Sequence, residues 1–79
     1  MEKNEILEKL QEIIRDVVDN DDVIISEGTI ASDIDGWDSL AHVMIVGEIR
    51  NEFGVKLTAS EVASLINVGA MVQAIFDKM

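Results

Sequence analysis

Apolar residues recur at helical intervals through the first part of the chain. They are separated by one or three positions, which places them on one face of an α-helix. The members of this stripe are Ile6, Leu7, Leu10, Ile13, Ile14, Val17 and Val18. The pattern predicts a first helix from about Asn4 to Asp19. Asn20 is suited to the left-handed conformation in which many helices end, so we expect the stop there.

A long connection from Asn20 to Trp37 follows the first helix. Loops of this length are usually functional or disordered, but this one contains apolar residues that can pin it across a bundle. They are Val23, Ile24, Ile25, Ile30 and Ile34. Gly28-Thr29 and Asp35-Gly36 predict turns, and a short helical turn is expected near Thr29 to Ser32. Trp37 is expected to anchor the end of the loop.

The next apolar segment predicts a second helix from Ser39 to Glu52, with two apolar stripes. Ile45, Ile49 and Phe53 are spaced by four residues, and we assign this stripe to the core. A second stripe lies on the side of Ser39 and consists of Leu40, Val43, Met44 and Gly47. It indicates either a docking surface for a partner or a helix buried on most sides. The spacing favours neither interpretation.

Two shorter helices are predicted in the remainder of the chain. Gly54 ends the second helix, and an extended segment follows with Leu57 pointing inward. Thr58 to Glu61 fits a capping box, so a short third helix is expected there. Its inward residues are predicted to be Val62, Leu65 and Ile66. Asn67 is expected to cap the fourth helix, whose apolar stripe contains Val68, Met71, Val72, Ile75 and Phe76.

Composition favours a single all-α domain over residues 1–79. A chain of 79 residues can form one rather thin core. Apolar residues make up 48% and aromatic residues 4%, so aliphatic side chains must fill that core. We therefore predict a small four-helix bundle with a long loop between the first two helices and a short third helix. The sequence contains no cysteine and no apolar run of membrane-spanning length, and no signal-peptide pattern is visible in it, so a cytoplasmic location is expected.

The net charge of the chain indicates which classes of partner it can bind. The net charge is −10, and the segment from Asp16 to Ala41 contains no Lys or Arg. Its acids are Asp16, Asp19, Asp21, Asp22, Glu27, Asp33, Asp35 and Asp38. This surface repels nucleic acid and steers towards basic protein patches, although acids also simply keep a small protein soluble. The acids do not follow the EF-hand spacing, so no defined metal site is predicted.

Ser39 is the candidate working residue. Asp38 and Ser39 both favour helix starts, and the positive end of a helix attracts an anion such as a phosphate ester. A hydrolase is not supported, because no third residue orients His42. The segment also lacks a Gly-x-Ser-x-Gly elbow. We expect His42 to be a surface or boundary residue.

The segment GWDSL, followed by an apolar helix, an EFGV segment and two short helices, resembles the acyl carrier and peptidyl carrier proteins. The resemblance runs from about Ile6 to Ile75. In that family the serine of Asp-Ser-Leu bears a 4'-phosphopantetheine arm, so the attachment site here would be Ser39, with Asp38 and Leu40 beside it. The resemblance implies that a phosphopantetheinyl transferase uses the Ser39 hydroxyl as nucleophile on coenzyme A. The arm's thiol would then hold acyl or aminoacyl groups as thioesters.

The chain shows no linker, repeat or low-complexity tail, so we expect a freestanding carrier, and a monomer. The resemblance implies that the protein itself catalyses nothing. Loading and acyl-transfer enzymes would dock on the second helix, at Val43, Met44, Gly47 and Arg50. Carriers of bacterial fatty-acid synthesis usually have a more acidic second helix, whereas the comparable outward positions here are Met44, Arg50 and Asn51. A specialised biosynthetic pathway is therefore favoured. The alternative is an unmodified helical adaptor in which Ser39 is only a helix N-cap.

Overall fold

The computed structural model describes all residues, Met1–Met79, and contains four α-helices and one 3-10 turn. Helix α1 is Lys3–Val18, α2 is Ser39–Phe53, α3 is Ala59–Ala63 and α4 is Val68–Lys78. The 3-10 turn is Ala31–Asp33 and lies in the long connection between α1 and α2. The predicted four-helix architecture, with its long first loop and short third helix, is therefore confirmed.

Helix α1 packs against both α2 and α4, and the apolar faces of these three helices form the core. Residues of all three are fully buried there: Ile6, Leu10, Ile14, Ile45, Ile49, Val68, Met71, Val72 and Ile75. Phe53 and Leu57 are half-buried against this cluster. Helix α3 has no buried residue, so it lies at the edge of the bundle. None of the helices is both long enough and apolar enough to span a bilayer.

Helix α1 stops one residue earlier than the sequence predicts. Asp19 adopts the left-handed conformation with φ 54°, and its backbone N–H donates to Arg15 O. Asp, like Asn, has a short polar side chain that tolerates this region. Asn20 instead begins the loop, where its side-chain oxygen accepts a hydrogen bond from the Asp22 N–H at 3.0 Å.

The first half of the long connection is pinned to α1. Val23 and Ile25 are buried, whereas Ile24 between them is 80% exposed, as expected for an extended segment whose side chains alternate. The Arg15 Nε–H donates to Val23 O at 2.7 Å, and the Ile25 N–H donates to the Gln11 side-chain oxygen at 3.0 Å. Ile24 is thus not one of the anchors.

The second half of the connection is fixed to the start of α4. The Val68 N–H donates to Thr29 O, and the Gly69 N–H donates to Glu27 O, both at 2.8 Å. Backbone N–H groups in the first turn of a helix lack partners within the helix, and here two of them are satisfied by loop carbonyls. The approach is close, because a Cβ added at Gly69 would lie 2.9 Å from Glu27 O.

The predicted caps of the last two helices are present. Thr58 Oγ1 accepts from the Glu61 N–H at 3.2 Å, and the Glu61 carboxylate accepts from the Thr58 N–H at 2.9 Å. Asn67 Oδ1 accepts from the Ala70 N–H at 2.7 Å.

Two residues assigned to apolar stripes point outward. Ile66 is 75% exposed, because α3 ends at Ala63 and its helical period does not extend to this position. Phe76 is 41% exposed, with the Lys3 ammonium 5.2 Å from the centre of its ring. The predictions of inward orientation for these two residues were wrong, whereas Val62 and Leu65 are half-buried.

Candidate functional site

The entrance of α2 is capped by Asp38. Its backbone is extended, and its Oδ1 accepts a hydrogen bond from the Ala41 N–H at 2.8 Å. The Asp38 carbonyl accepts from the His42 N–H at 2.9 Å, which begins the helical ladder. Asp38 is therefore the N-cap and Ser39 is the first helical residue. The alternative role of Ser39 as N-cap is wrong, because the neighbouring carboxylate already performs that task.

The first turn of α2 presents Ser39 to solvent. Ser39 and Leu40 are both exposed, so an enzyme can reach the hydroxyl. Their backbone N–H groups lie in the first turn, where no carbonyl of the helix can accept from them. The positive end of the helix dipole adds a favourable field for an anion. An exposed hydroxyl beside two backbone donors is chemically suited to carry a phosphodiester.

The approach to Ser39 is fixed by a turn and a buried indole. Gly36 has φ 89°, and a Cβ added there would lie 3.4 Å from the Val18 Cβ. The Trp37 N–H donates to Ile34 O at 3.3 Å, and its side chain is buried. The expectation that Trp37 anchors the end of the loop is confirmed.

Trp37 is paired with His42. The indole Nε1–H donates to His42 Nδ1 at 3.2 Å, and the two rings are stacked with centroids 6.1 Å apart and planes inclined by 22°. His42 is half-buried, in agreement with the predicted boundary position. The pairing itself was not predicted. The available signal was that a buried indole N–H usually requires an acceptor.

Ser39 opens onto a groove between α2, the 3-10 turn and α3. The groove has a volume of about 610 Å³. Its lining residues are Ala31, Ser32, Trp37, Asp38, Ser39, His42, Val62, Ala63 and Leu65. One wall is thus formed by the short helix α3, which offers apolar side chains opposite the polar entrance of α2.

An ion pair joins α3 to the end of α4. The Lys78 ammonium lies 2.8 Å from Glu61 Oε1, and each side chain is about one-third exposed. The hydrogen bond from Lys78 and that from the Thr58 backbone lower the pKa of Glu61 from 4.5 to about 2. This pair links the wall of the groove to a core helix.

The two apolar stripes of α2 lie in different environments. Ile45 and Ile49 are buried, with 0% and 1% exposure. In the second stripe, Leu40 is 69% exposed, Val43 66% and Met44 50%. Gly47 and Arg50 are also exposed. The interpretation of α2 as a helix buried on most sides is therefore wrong, and the second stripe is a solvent-facing apolar surface next to Ser39.

The acidic residues do not assemble into a metal site. No group of three or more His, Cys, Asp or Glu side chains is placed to hold a metal ion. The chemistry available at the entrance of α2 is therefore that of a hydroxyl, a capping carboxylate, backbone donors and one imidazole.

Known proteins resemble this chain in both sequence and structure. The model of the family described as Phosphopantetheine attachment site matches residues 8–75. The structure is similar to the solution structure of a holo acyl carrier protein from Geobacter metallireducens, with a TM-score of 0.85 and 33% identity. That match covers 91% of this chain and 83% of the other.

Two curated relatives are much larger proteins. They are the non-reducing polyketide synthases ausA and prhL of Penicillium brasilianum, each 46% identical over 41 residues. The matched region is 52% of this chain but only 2% of the length of either synthase. The similarity is thus to one small part of each synthase.

The family match covers most of the chain, and the entrance of α2 has the donors that a phosphate ester requires. The holo acyl carrier protein has the same fold over nearly the full length. The chain therefore belongs to the acyl carrier family, with 4'-phosphopantetheine as its covalently bound prosthetic group.

Proposed function

We propose that Ser39 is the attachment residue and that this protein carries acyl or aminoacyl intermediates for a specialised biosynthetic pathway. The observation that carries the proposal is the geometry at the entrance of α2. Asp38 supplies the cap, which leaves the Ser39 hydroxyl exposed and without a capping task. Ser39 also lies inside the matched range 8–75.

The attachment step follows from the chemistry of the hydroxyl. A phosphopantetheinyl transferase would direct the Ser39 oxygen onto the phosphorus next to the pantetheine of coenzyme A. A new P–O bond forms to serine as the P–O bond to the nucleotide breaks. Adenosine 3',5'-bisphosphate leaves, and the hydroxyl proton passes to a base of the transferase. The attached arm supplies a thiol that holds the cargo as a thioester.

Partner enzymes would dock on the exposed surface of α2. Val43 and Met44 offer apolar area within two turns of Ser39, and such patches on small proteins often mark interaction sites. Arg50 and Gly47 continue this surface and line a shallow groove of about 810 Å³ between α2 and the end of α1. The acids of the long connection would add electrostatic steering towards basic enzymes.

The exposed end of α2 supports a specialised pathway. Arg50 and Asn51 are both exposed there, so this face is not uniformly acidic and would select partners that tolerate a cation. The partial match to two polyketide synthases makes polyketide assembly a candidate pathway. In each case the catalytic groups belong to the partner enzymes, and this chain supplies the attachment point and the docking surface.

Intact-mass measurement tests the attachment residue. We expect incubation with coenzyme A and a broad-specificity transferase to add one arm per chain, and Ser39→Ala to abolish the addition. Ser32→Ala is the matched control, because Ser32 is an exposed serine lining the same groove, and this variant should be loaded normally. If a transferase active on another carrier leaves the wild-type mass unchanged, the unmodified adaptor becomes the better interpretation.

A further inference from the structure

The hydrogen bond between Trp37 and His42 determines where the imidazole proton resides. An indole Nε1–H can only donate, so His42 Nδ1, which lies 3.2 Å from it, must offer a lone pair. In a neutral imidazole the single proton is then on Nε2. An imidazolium has no lone pair at Nδ1, so a charged His42 would lose the bond to Trp37. With Nδ1 engaged as the acceptor, Nε2–H is the nitrogen that can donate to another group.

His42 also lies close to the attachment point. Residues three apart on a helix are neighbours, with Cβ atoms about 5–6 Å apart, and His42 follows Ser39 by three. Both side chains line the groove between α2 and α3. A phosphate on the Ser39 oxygen would project into the groove that His42 also lines.

No cationic side chain is available near Ser39 to pair with a phosphate. From Asp16 to Ile49 the chain has no Lys or Arg, and none lines the groove. Asp38, which lies next to Ser39, is acidic and already bound to the Ala41 N–H. The phosphodiester carries a negative charge, and with no Lys or Arg nearby it would meet few side-chain donors. The side-chain donors that the groove residues still offer are the His42 Nε2–H and the Ser32 hydroxyl.

We infer that His42 is a positioning residue for the prosthetic arm: Trp37 holds it as the Nε2–H tautomer, and this N–H donates to a phosphate oxygen of the group on Ser39. The inference rests on the proposed attachment at Ser39. The bond fixes the first phosphodiester torsions and directs the arm relative to the groove. It also couples the arm to Trp37, and through Trp37 to the end of the long connection.

Nitrogen NMR of the imidazole tests the proposed tautomer and phosphate contact of His42 without any substitution. Long-range ¹H–¹⁵N spectra of histidine-labelled protein at neutral pH report the protonation of each ring nitrogen, and His42 is the only histidine. In the unmodified protein we expect Nδ1 to be unprotonated and Nε2 to carry the proton. On loading, the Nε2 resonance should shift while the Nδ1 resonance stays in place. A proton on Nδ1, or an Nε2 resonance unchanged by loading, would overturn the inference.

Two variants at His42 separate positioning from simple packing. In His42→Gln the side chain can both accept from Trp37 and donate to the phosphate, so the ³¹P resonance of the loaded protein should remain near the wild-type position. In His42→Phe both bonds are lost, and the resonance should move to that of a free phosphodiester. Equal ³¹P shifts in these two variants would contradict the role of His42. Far-UV circular dichroism verifies that each variant is folded.

Ser32→Ala removes the competing donor. The ³¹P resonance should be unaffected by this change, and a shift as large as that of His42→Phe would assign the contact to Ser32 instead. Intact mass of each sample keeps the two proposals apart. If no arm is attached to the wild type, the proposed function fails, whereas an attached arm with an undisturbed Nε2 resonance refutes only the role of His42.

Discussion

Substitutions at Ile49 and Met44 test whether the two apolar stripes of α2 perform different tasks. Ile49 is 1% exposed and packs in the core, whereas Met44 is 50% exposed on the stripe beside Ser39. The first change, Ile49→Ala, removes buried carbon atoms. The second, Met44→Glu, places a charge on the exposed stripe without opening a cavity. Met79→Glu is a matched control, since Met79 has a similar exposure of 53% but lies at the far end of the chain.

The expected size of the core effect follows from burial. Truncating Ile to Ala deletes three carbons, which at about 0.8 kcal/mol each amounts to about 2.4 kcal/mol of transfer free energy. The cavity left behind raises the cost towards the range of about 2–5 kcal/mol seen for such changes. The total stability of a domain of this size is on the order of 4–12 kcal/mol. Ile49→Ala should therefore remove a large part of it.

The exposed stripe should respond differently. Met44→Glu and Met79→Glu should each change the free energy of unfolding by no more than about 0.5 kcal/mol, as is usual for surface positions. If enzymes dock on the stripe, Met44→Glu should weaken their binding by about 1 kcal/mol or more, which is roughly a fivefold lower kcat/KM for loading. Met79→Glu should leave loading unchanged.

Urea unfolding followed by circular dichroism measures the stabilities, and a transferase assay at matched protein concentration measures kcat/KM. The denaturant slope should be the same for all variants, so that midpoints can be compared directly. If Met44→Glu lowers the midpoint as far as Ile49→Ala does, the second stripe contributes to the core. If Met44→Glu and Met79→Glu load equally well, the stripe is not a docking surface for the transferase.

Two further predictions concern the loop and α3. Gly69→Ala should destabilise the protein by about 1–3 kcal/mol, because the added Cβ would meet a loop carbonyl at 2.9 Å. The control Gly47→Ala, with nothing within 4 Å, should instead stabilise by about 0.5–1 kcal/mol in a urea melt. The lowered pKa of Glu61, caused by Lys78 and the Thr58 backbone, contributes stability that is present above pH 4.5 and lost as the pH falls towards 2. Lys78→Met should reduce this acid dependence in thermal melts from pH 5 to pH 2, and an unchanged profile would show that the ion pair has no energetic role.

The helix starts were predictable because each is encoded locally. Asp38, Thr58 and Asn67 are capping residues directly before an apolar segment, and each cap bond joins residues three apart. The end of α1 was less certain, since Asp19 and Asn20 can both adopt a left-handed conformation.

Contacts between residues distant in the sequence could not be predicted from the periodic pattern. Spacing groups Leu40, Val43 and Met44 on one side of α2, but only the packing of α2 against α1 and the rest of the core determines that this side faces solvent. The exposure of Ile66 likewise depends on where α3 ends. The identity of Ser39 as the candidate residue followed from local signals, whereas the bond between Trp37 and His42 depends on how the loop approaches the helix.

The two backbone bonds from α4 to the long connection also affect how the protein opens. Val68 and Gly69 donate to carbonyls of a turn that lies far away in the sequence, so the first turn of α4 is completed only when that turn has docked. Segments that satisfy each other's backbone groups tend to unfold as one cooperative unit. We therefore expect amide exchange at Val68 and Gly69 to be as slow as exchange in the core of α4, although both lie at its first turn. The long connection is thus a structural partner of the last helix, and its release would leave the first turn of α4 without two of its backbone partners.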